Sequence, residues 1–194
     1  MSSGKNQIME YLDLIRKFHS NLPVIREWIE KTLAENLDHA VPVINLGFPR
    51  LGKVFPLNLL KSAKTVVVNG KVPFPPLSRM GLPELAQMEK IPKAGITYKD
   101  TVFVSHIQHS TESLLFHELV HVIQWDRLGV DDFLLAYGLG LMQSDYRNCP
   151  LEQMAYTLQE GFDRQSLPDS VVEFIRRETD AIWASVASLF QRYR

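Results

Sequence analysis

A single cysteine, Cys149, stands in a chain of 194 residues, which excludes an internal disulfide framework and suits a reducing compartment. An excess of charge of either sign is also missing: 21 Lys and Arg face 22 Asp and Glu, for a formal net charge of −1. That balance gives no electrostatic ground to expect nucleic acid or an anionic membrane as a partner. Long apolar runs are absent. The most apolar stretch, 133–142 (FLLAYGLGLM), is about half of the roughly 20 residues a helix needs to cross a bilayer. The first twenty residues carry no uninterrupted apolar run after their lysine, which argues against a secretory signal. Internal repeats and low-complexity tracts are not found either. These absences lead to the expectation of a soluble, cytoplasmic protein whose partners are neither nucleic acid nor membrane, and they leave the oligomeric state open.

What is present suits one globular domain over residues 1–194, since 45% hydrophobic residues in a chain of this length can bury a core. Three textures divide it. Residues 1–40 read as helical: Ile8, Leu12, Ile15 and Phe18 form an amphipathic stripe over 6–19. Asn21 is placed to cap a second helix over 22–37, with Pro23 in its first turn and Ile25, Trp28, Ile29 and Leu33 on its apolar side. His19 and His39, at helix ends, read as solvated or carbonyl-capping residues. Residues 41–105 hold eight of the eleven prolines and short β-branched runs. Strands are expected over 41–46, 65–69 and 96–105, with a hairpin at Asn69-Gly70 returning through 71–74, and a short helical turn over 83–88. Residues 110–194 read as helical again. Gly129 caps the helix 110–128, and Asp131 or Asp132 starts another, in which Gly138 and Gly140 call for close packing against a neighbouring backbone. Pro150 opens a further helix, and 168–192 forms a long amphipathic one. The fold class expected is α+β, mostly helical, with a small sheet between an N-terminal helix pair and the helix at 110–128.

That helix, STESLLFHELVHVIQWDRL, carries His117, Glu118 and His121 as H-E-x-x-H. Residues four apart on a helix stand one turn above each other, so the two imidazoles can grip one metal ion, zinc by motif, while Glu118 orients a water without ligating. Leu115, Phe116, Leu119, Val120, Val122 and Ile123 occupy the opposite side, so the helix is buried along its back and presents a narrow polar stripe. Trp125 reads as core. His106 and His109, just before it, read as a polar turn with His109 or Ser110 near the N-cap; the alternative is extra ligands or substrate contacts.

Two histidines bind zinc poorly, and a catalytic zinc usually keeps three protein ligands. Glu152, 31 residues after His121 in the first turn of the helix opened by Pro150, is the third candidate; the plain alternative is an acid favoured by the helix dipole. Tyr156 lies one turn further on the same face, and Gln124 falls close in wheel angle to the two histidines, able to hydrogen-bond a ligand or the substrate. Cys149 reads as structural, with an inhibitory or redox contact to the metal as the alternative.

The pair of segments FHELVHVIQW and YRNCPLEQMAY resembles the gluzincin class of zinc metallopeptidases, in particular its small single-domain bacterial members. The resemblance covers 116–156, and the first hundred residues carry no motif of that class. It implies a zincin-like fold, one zinc ion per chain held by His117, His121 and Glu152, and Glu118 as general base in the hydrolysis of a peptide or protein substrate. One departure stands out. Thermolysin-like members place an aspartate four residues after the ligand glutamate to brace a histidine, and this chain has Tyr156 there. Bracing must then come from elsewhere, and Tyr156 is assigned oxyanion stabilisation by its spacing. The strand ending at Ser105 is expected to pair with an extended substrate along its edge. Two further readings compete: a catalytically silent module whose metal serves folding or partner binding, and an effector-type protease specific for one protein.

Overall fold

The structure is a computed structural model and describes residues 2–106, 111–144 and 146–190. In place of a helix pair, one helix, α1 (Ser2–Glu35), runs through Pro23. Ile15, Phe18, Leu22, Ile25 and Ile29 recur at spacings of three and four, and all are buried. A proline in a helix interior costs roughly 3 kcal/mol, whereas each fully buried large apolar side chain contributes roughly 1.5–3 kcal/mol. The continuous stripe therefore outweighs the break. Asn21 does not cap; its side-chain amide donates to the Lys17 carbonyl at 2.8 Å.

The sheet has four strands, β1 (Val41–Pro42), β2 (Lys64–Val68), β3 (Gly95–Tyr98) and β4 (Thr101–Ser105), in the order β1-β2-β4-β3. β2 and β4 are parallel and the other pairs antiparallel. Three expectations change here. The strand expected over 41–46 keeps two residues before a 3-10 turn, Val43–Leu46. Gly70 takes a positive φ of 100°, yet no strand returns through 71–74. Pro73, Pro75 and Pro76 have no N–H to donate to a ladder, and the Pro73 carbonyl accepts the Tyr98 hydroxyl instead, at 2.9 Å. Residues 96–105 form a hairpin rather than one strand, because Lys99 adopts left-handed φ (57°) and turns the chain back.

β4 explains why the sheet is central. Phe103 belongs to one core with Ile25, Ile29, Val66 and Trp125, while Val102 and Val104 belong to a second with Leu115, Phe116, Leu119 and Ile123. Successive strand side chains point to opposite faces, so β4 is buried on both, with α1 on one side and the motif helix on the other. Two short helices, α2 (Leu51–Val54) and α3 (Leu57–Ser62), extend the second core.

The motif helix is the first arm of α4 (Glu112–Gln143), which breaks at Gly129 (φ 73°, ψ 179°) as a C-cap glycine predicts. Its N-cap is Thr111; His109 and Ser110 lie outside the described residues. The second arm packs tightly, though against side chains rather than backbone. A Cβ on Gly138 would strike the Phe18 ring, and one on Gly140 would stand 2.7 Å from Cys149 Sγ. α5 (Pro150–Arg164) begins at Pro150 as expected, and α6 (Val171–Phe190) closes the second core through Val171 and Ile175. Among the described residues no helix is long and apolar enough to cross a membrane.

Candidate metal centre

The apolar back of the motif helix is buried, and His117, His121 and Gln124 on its polar stripe are buried as well, because α4 packs against α5 and β3. His117 and His121 are 4% and 5% exposed, and Glu152, from the first turn of α5, is 2% exposed. His117 Nε2 and His121 Nε2 lie 3.2 Å apart, and Glu152 Oε2 lies 3.4 Å from the first and 3.5 Å from the second. The three residues expected to meet do meet. This buried His–His–Glu group could hold a metal ion. His106 is not part of it; its backbone N–H donates to the Val68 carbonyl at 3.0 Å. His19 stacks on Phe190. Cys149 also stands apart, fully buried, with its thiol donating to the Tyr137 carbonyl at 3.8 Å and pushed up to about 12 by burial.

Bracing comes from residues that the helix spacing hinted at and from others it did not. Gln124, buried beside the histidines, accepts from His121 Nδ1 through Oε1 at 2.7 Å and donates through Nε2 to the Leu151 carbonyl at 3.1 Å. The amide orientation commits His121 Nδ1 to carrying a proton there, which leaves Nε2 as the ligating atom. The same amide ties the motif helix to the first turn of α5. Tyr137, on the second arm of α4, donates its hydroxyl to Glu152 Oε1 at 2.5 Å. Nothing in the spacing of Tyr137 to the motif announces this contact; the bend at Gly129 creates it.

The charges of the group are strongly coupled. Burial opposes ionising Glu152, but the two imidazoles beside it hold its carboxyl well below the usual carboxylate range. Burial likewise opposes charging His121, yet the Glu152 carboxylate, with Glu118 and the Gln124 amide, outweighs it and raises the imidazole to about 9. Two buried atoms of the group, Glu152 Oε2 and His117 Nδ1, have no hydrogen-bond partner. Oε2 thus has the two imidazoles as charge partners and no hydrogen bond, and a buried carboxylate oxygen in that state suits a cation placed between it and the ring nitrogens.

Glu118 is set beside the group, buried at 4% exposure. Its carboxylate accepts the Thr97 hydroxyl at 2.6 Å, and burial raises its pKa, partly offset by His117 and His121. Gly95 permits the approach: a Cβ there would overlap Glu118 Oε1 and stand 2.9 Å from Cδ. Thr97 and Gly95 both belong to β3 and were not singled out by sequence. Trp125, read as core, is buried but also donates its indole N–H to the Thr97 carbonyl at 3.1 Å.

Two cavities adjoin the site, and Gly95, Glu118 and Tyr146 line both. One, of about 410 Å³, is a cleft of mixed lining that includes His117, Tyr156 and Lys93. The other, of about 80 Å³, is walled by Phe18, Ile25, Phe74, Trp125 and Phe133 and reaches His121 and Glu152. Tyr156 packs its ring on His117, with centroids 4.6 Å apart. Tyr146, six residues before Glu152, is a second cleft tyrosine; burial and the Glu152 carboxylate raise its pKa. Lys93 is lowered to about 8 by burial, partly offset by Glu152.

The strand ending at Ser105 cannot offer an edge, since β4 lies between β2 and β3. β3 is the edge. Ser105 N–H donates to the Ala94 carbonyl at 3.0 Å, so alternation turns Ile96 and Tyr98 toward β4 and the backbone of Gly95 and Thr97 outward. With the Thr97 carbonyl taken by Trp125, Gly95 is the outward position that lines the cleft.

The chain matches no protein-family model, no curated protein and no solved structure. The class that the site defines is thus drawn from its own geometry, a possible metal centre in an α+β fold.

Proposed function

We propose that this chain is a zinc-dependent metallopeptidase of zincin-like fold, with His117, His121 and Glu152 as ligands and Glu118 as general base. The observation that carries the reading is the spacing of the three ligand atoms. Tetrahedral bonds of about 2.0–2.1 Å put donor atoms about 3.3 Å apart, and the observed edges are 3.2, 3.4 and 3.5 Å. Two imidazoles and one carboxylate suit zinc, whereas calcium and magnesium take oxygen ligands. When bound, zinc supplies Lewis acidity and makes a water acidic enough to lose its proton near neutral pH.

The chain's own residues supply the rest. Glu118, with its raised pKa, takes the proton from the attacking water and returns it to the leaving amine. Gly95 offers outward backbone groups to an extended substrate beside Glu118, and the adjoining apolar cavity accommodates a side chain of that substrate. Tyr156 and Tyr146 present hydroxyl-bearing rings to the cleft, where one of them stabilises the developing oxyanion. The test combines metal analysis with hydrolysis of a peptide library. One zinc per chain is expected, lost in His117→Ala, together with peptide cleavage lost in Glu118→Gln while zinc remains. Zinc without cleavage would favour the silent metal module, and a protein purified without chelator that holds no metal would overturn the reading.

A further inference from the structure

Glu152 has two carboxylate oxygens, and the structure treats them differently. Oε1 accepts the Tyr137 hydroxyl at 2.5 Å, whereas Oε2 has no hydrogen-bond partner and faces the Nε2 atoms of both histidines. We infer that Tyr137 is a positioning residue that makes Glu152 a one-oxygen ligand and so keeps a coordination position of the metal open. The inference rests on the metal reading above.

The support of Tyr137 is as specific as its contact. Its arm of α4 turns back at Gly129, and Phe133, one turn before, stacks on Trp125 with centroids 3.9 Å apart and on Tyr137 at 5.7 Å. On the other side, the Tyr137 carbonyl receives the Cys149 thiol, and Gly138 lets the arm close onto Phe18. The Tyr137 ring and the backbone that carries it are therefore both held. A carboxylate that accepts a short O–H bond at one oxygen is held against rotating that oxygen toward the metal. Binding through both oxygens would add a donor and occupy the position that a water or substrate carbonyl needs. Gln124 does the corresponding work for His121, so two of the three ligands are braced by side chains from two different segments of α4.

The experiment is a cobalt(II) titration of the chelator-treated full chain, of Tyr137→Phe and of Phe133→Leu. Affinity is measured by competition with a chromophoric chelator, and the visible d–d band reports coordination number, losing intensity as a fifth donor enters. The wild type is expected to bind one equivalent with the strong band of a four-coordinate ion. Tyr137→Phe keeps the ring and loses the hydroxyl; it is expected to bind about 10- to 100-fold more weakly, with a weakened band. Phe133→Leu loosens the same arm without touching the hydroxyl, and is expected to retain the wild-type band even where it melts earlier. An unchanged affinity and band in Tyr137→Phe overturns the positioning role and leaves the metal reading standing. Equal loss of band intensity in Phe133→Leu overturns it as well, by assigning the effect to packing. A wild-type chain that takes up no cobalt overturns the metal reading itself.

Discussion

On the proposed reading, Gly95→Ala is expected to separate catalysis from metal binding with one methyl group. The backbone at Gly95 is an ordinary strand conformation without positive φ, so alanine meets no conformational penalty there. Its Cβ, however, would stand 2.9 Å from Glu118 Cδ and 3.2 Å from Cγ, with Oε1 closer still. Carbon atoms rest at about 3.5–4.0 Å, so the carboxylate must retreat by roughly 0.6 Å or more. It cannot do so freely, because Thr97 holds Oε2 at 2.6 Å and the side chain is buried. Overpacking of this kind costs about 1–3 kcal/mol. A misplacement near 1 Å costs on the order of 100-fold in rate. The expected outcome is peptide hydrolysis reduced about 30- to 100-fold in kcat, one metal per chain retained, and a modest drop in Tm. The assays are steady-state kinetics on a cleaved peptide, metal analysis and a thermal melt of the same preparation. Wild-type kcat in a folded, metal-loaded Gly95→Ala would refute the placement of Glu118 as base. Loss of metal together with activity would show that the methyl disturbs the ligands rather than the base.

Thr97→Val removes the hydroxyl that favours ionised Glu118 without changing shape, so the Glu118 pKa rises further. The acid limb of the pH–kcat profile should move to higher pH, and a limb that stays or moves down contradicts the assignment. Gln124→Leu strips His121 Nδ1 of its acceptor and should weaken zinc binding about 10- to 100-fold; competition with a chelating dye reads this, and an unchanged affinity sinks the bracing role. In chelated protein, His121 stands at about 9 against an ordinary value of 6.5. The stability from its protonation is then complete below 6.5 and lost as pH rises through 9, on the order of 3 kcal/mol. Glu152, depressed from 4.5, contributes in the opposite sense: its share is present above 4.5 and is lost only on acidification. Urea melts from pH 6 to about 9.5 should therefore show falling stability with chelator. Saturating zinc should reverse the trend, since imidazoles bind deprotonated, and a flat chelated profile would argue against the His121–Glu152 pairing.

How much of this was legible in the sequence depended on whether the information was local. The buried back of the motif helix, the pairing of His117 with His121, the break at Gly129 and the start of α5 at Pro150 follow from spacing and cap chemistry, whereas Glu152 was one candidate beside a plain helix-dipole acid and was singled out as a ligand by the resemblance; the structure brings it to the pair. The break at Asn21 and Pro23 was equally local, and it was overridden because the two stripes read separately in the sequence join through buried Leu22 into one. Likewise, the Asn69-Gly70 turn signal could not report that the segment after it bonds to Tyr98, a residue of β3, rather than to β2. Gly95, Thr97, Tyr137 and Tyr146 left no signal, because each is brought to the site by another element's path. Gly129 shows the limit well: its cap role is readable, but its consequence, a helix arm folded back so that Tyr137 meets Glu152, is not.

The departure at Tyr156 gains meaning from that contrast. Tyr156 packs its ring at a tilt against His117, with centroids 4.6 Å apart, and His117 Nδ1 is buried without a hydrogen-bond partner. His121 and Glu152, in contrast, are held by hydrogen bonds from Gln124 and Tyr137. The three proposed ligands are thus positioned by different physics: two by directional bonds, one by packing. Packing fixes a ring's plane less strictly than a bond to its nitrogen and adds nothing to its basicity. His117 is on this argument the weakest donor of the three, and it is also the one that lines the open cleft. An ion in this group would be gripped most firmly on its buried side, by His121 and Glu152, with its more yielding contact toward the cleft.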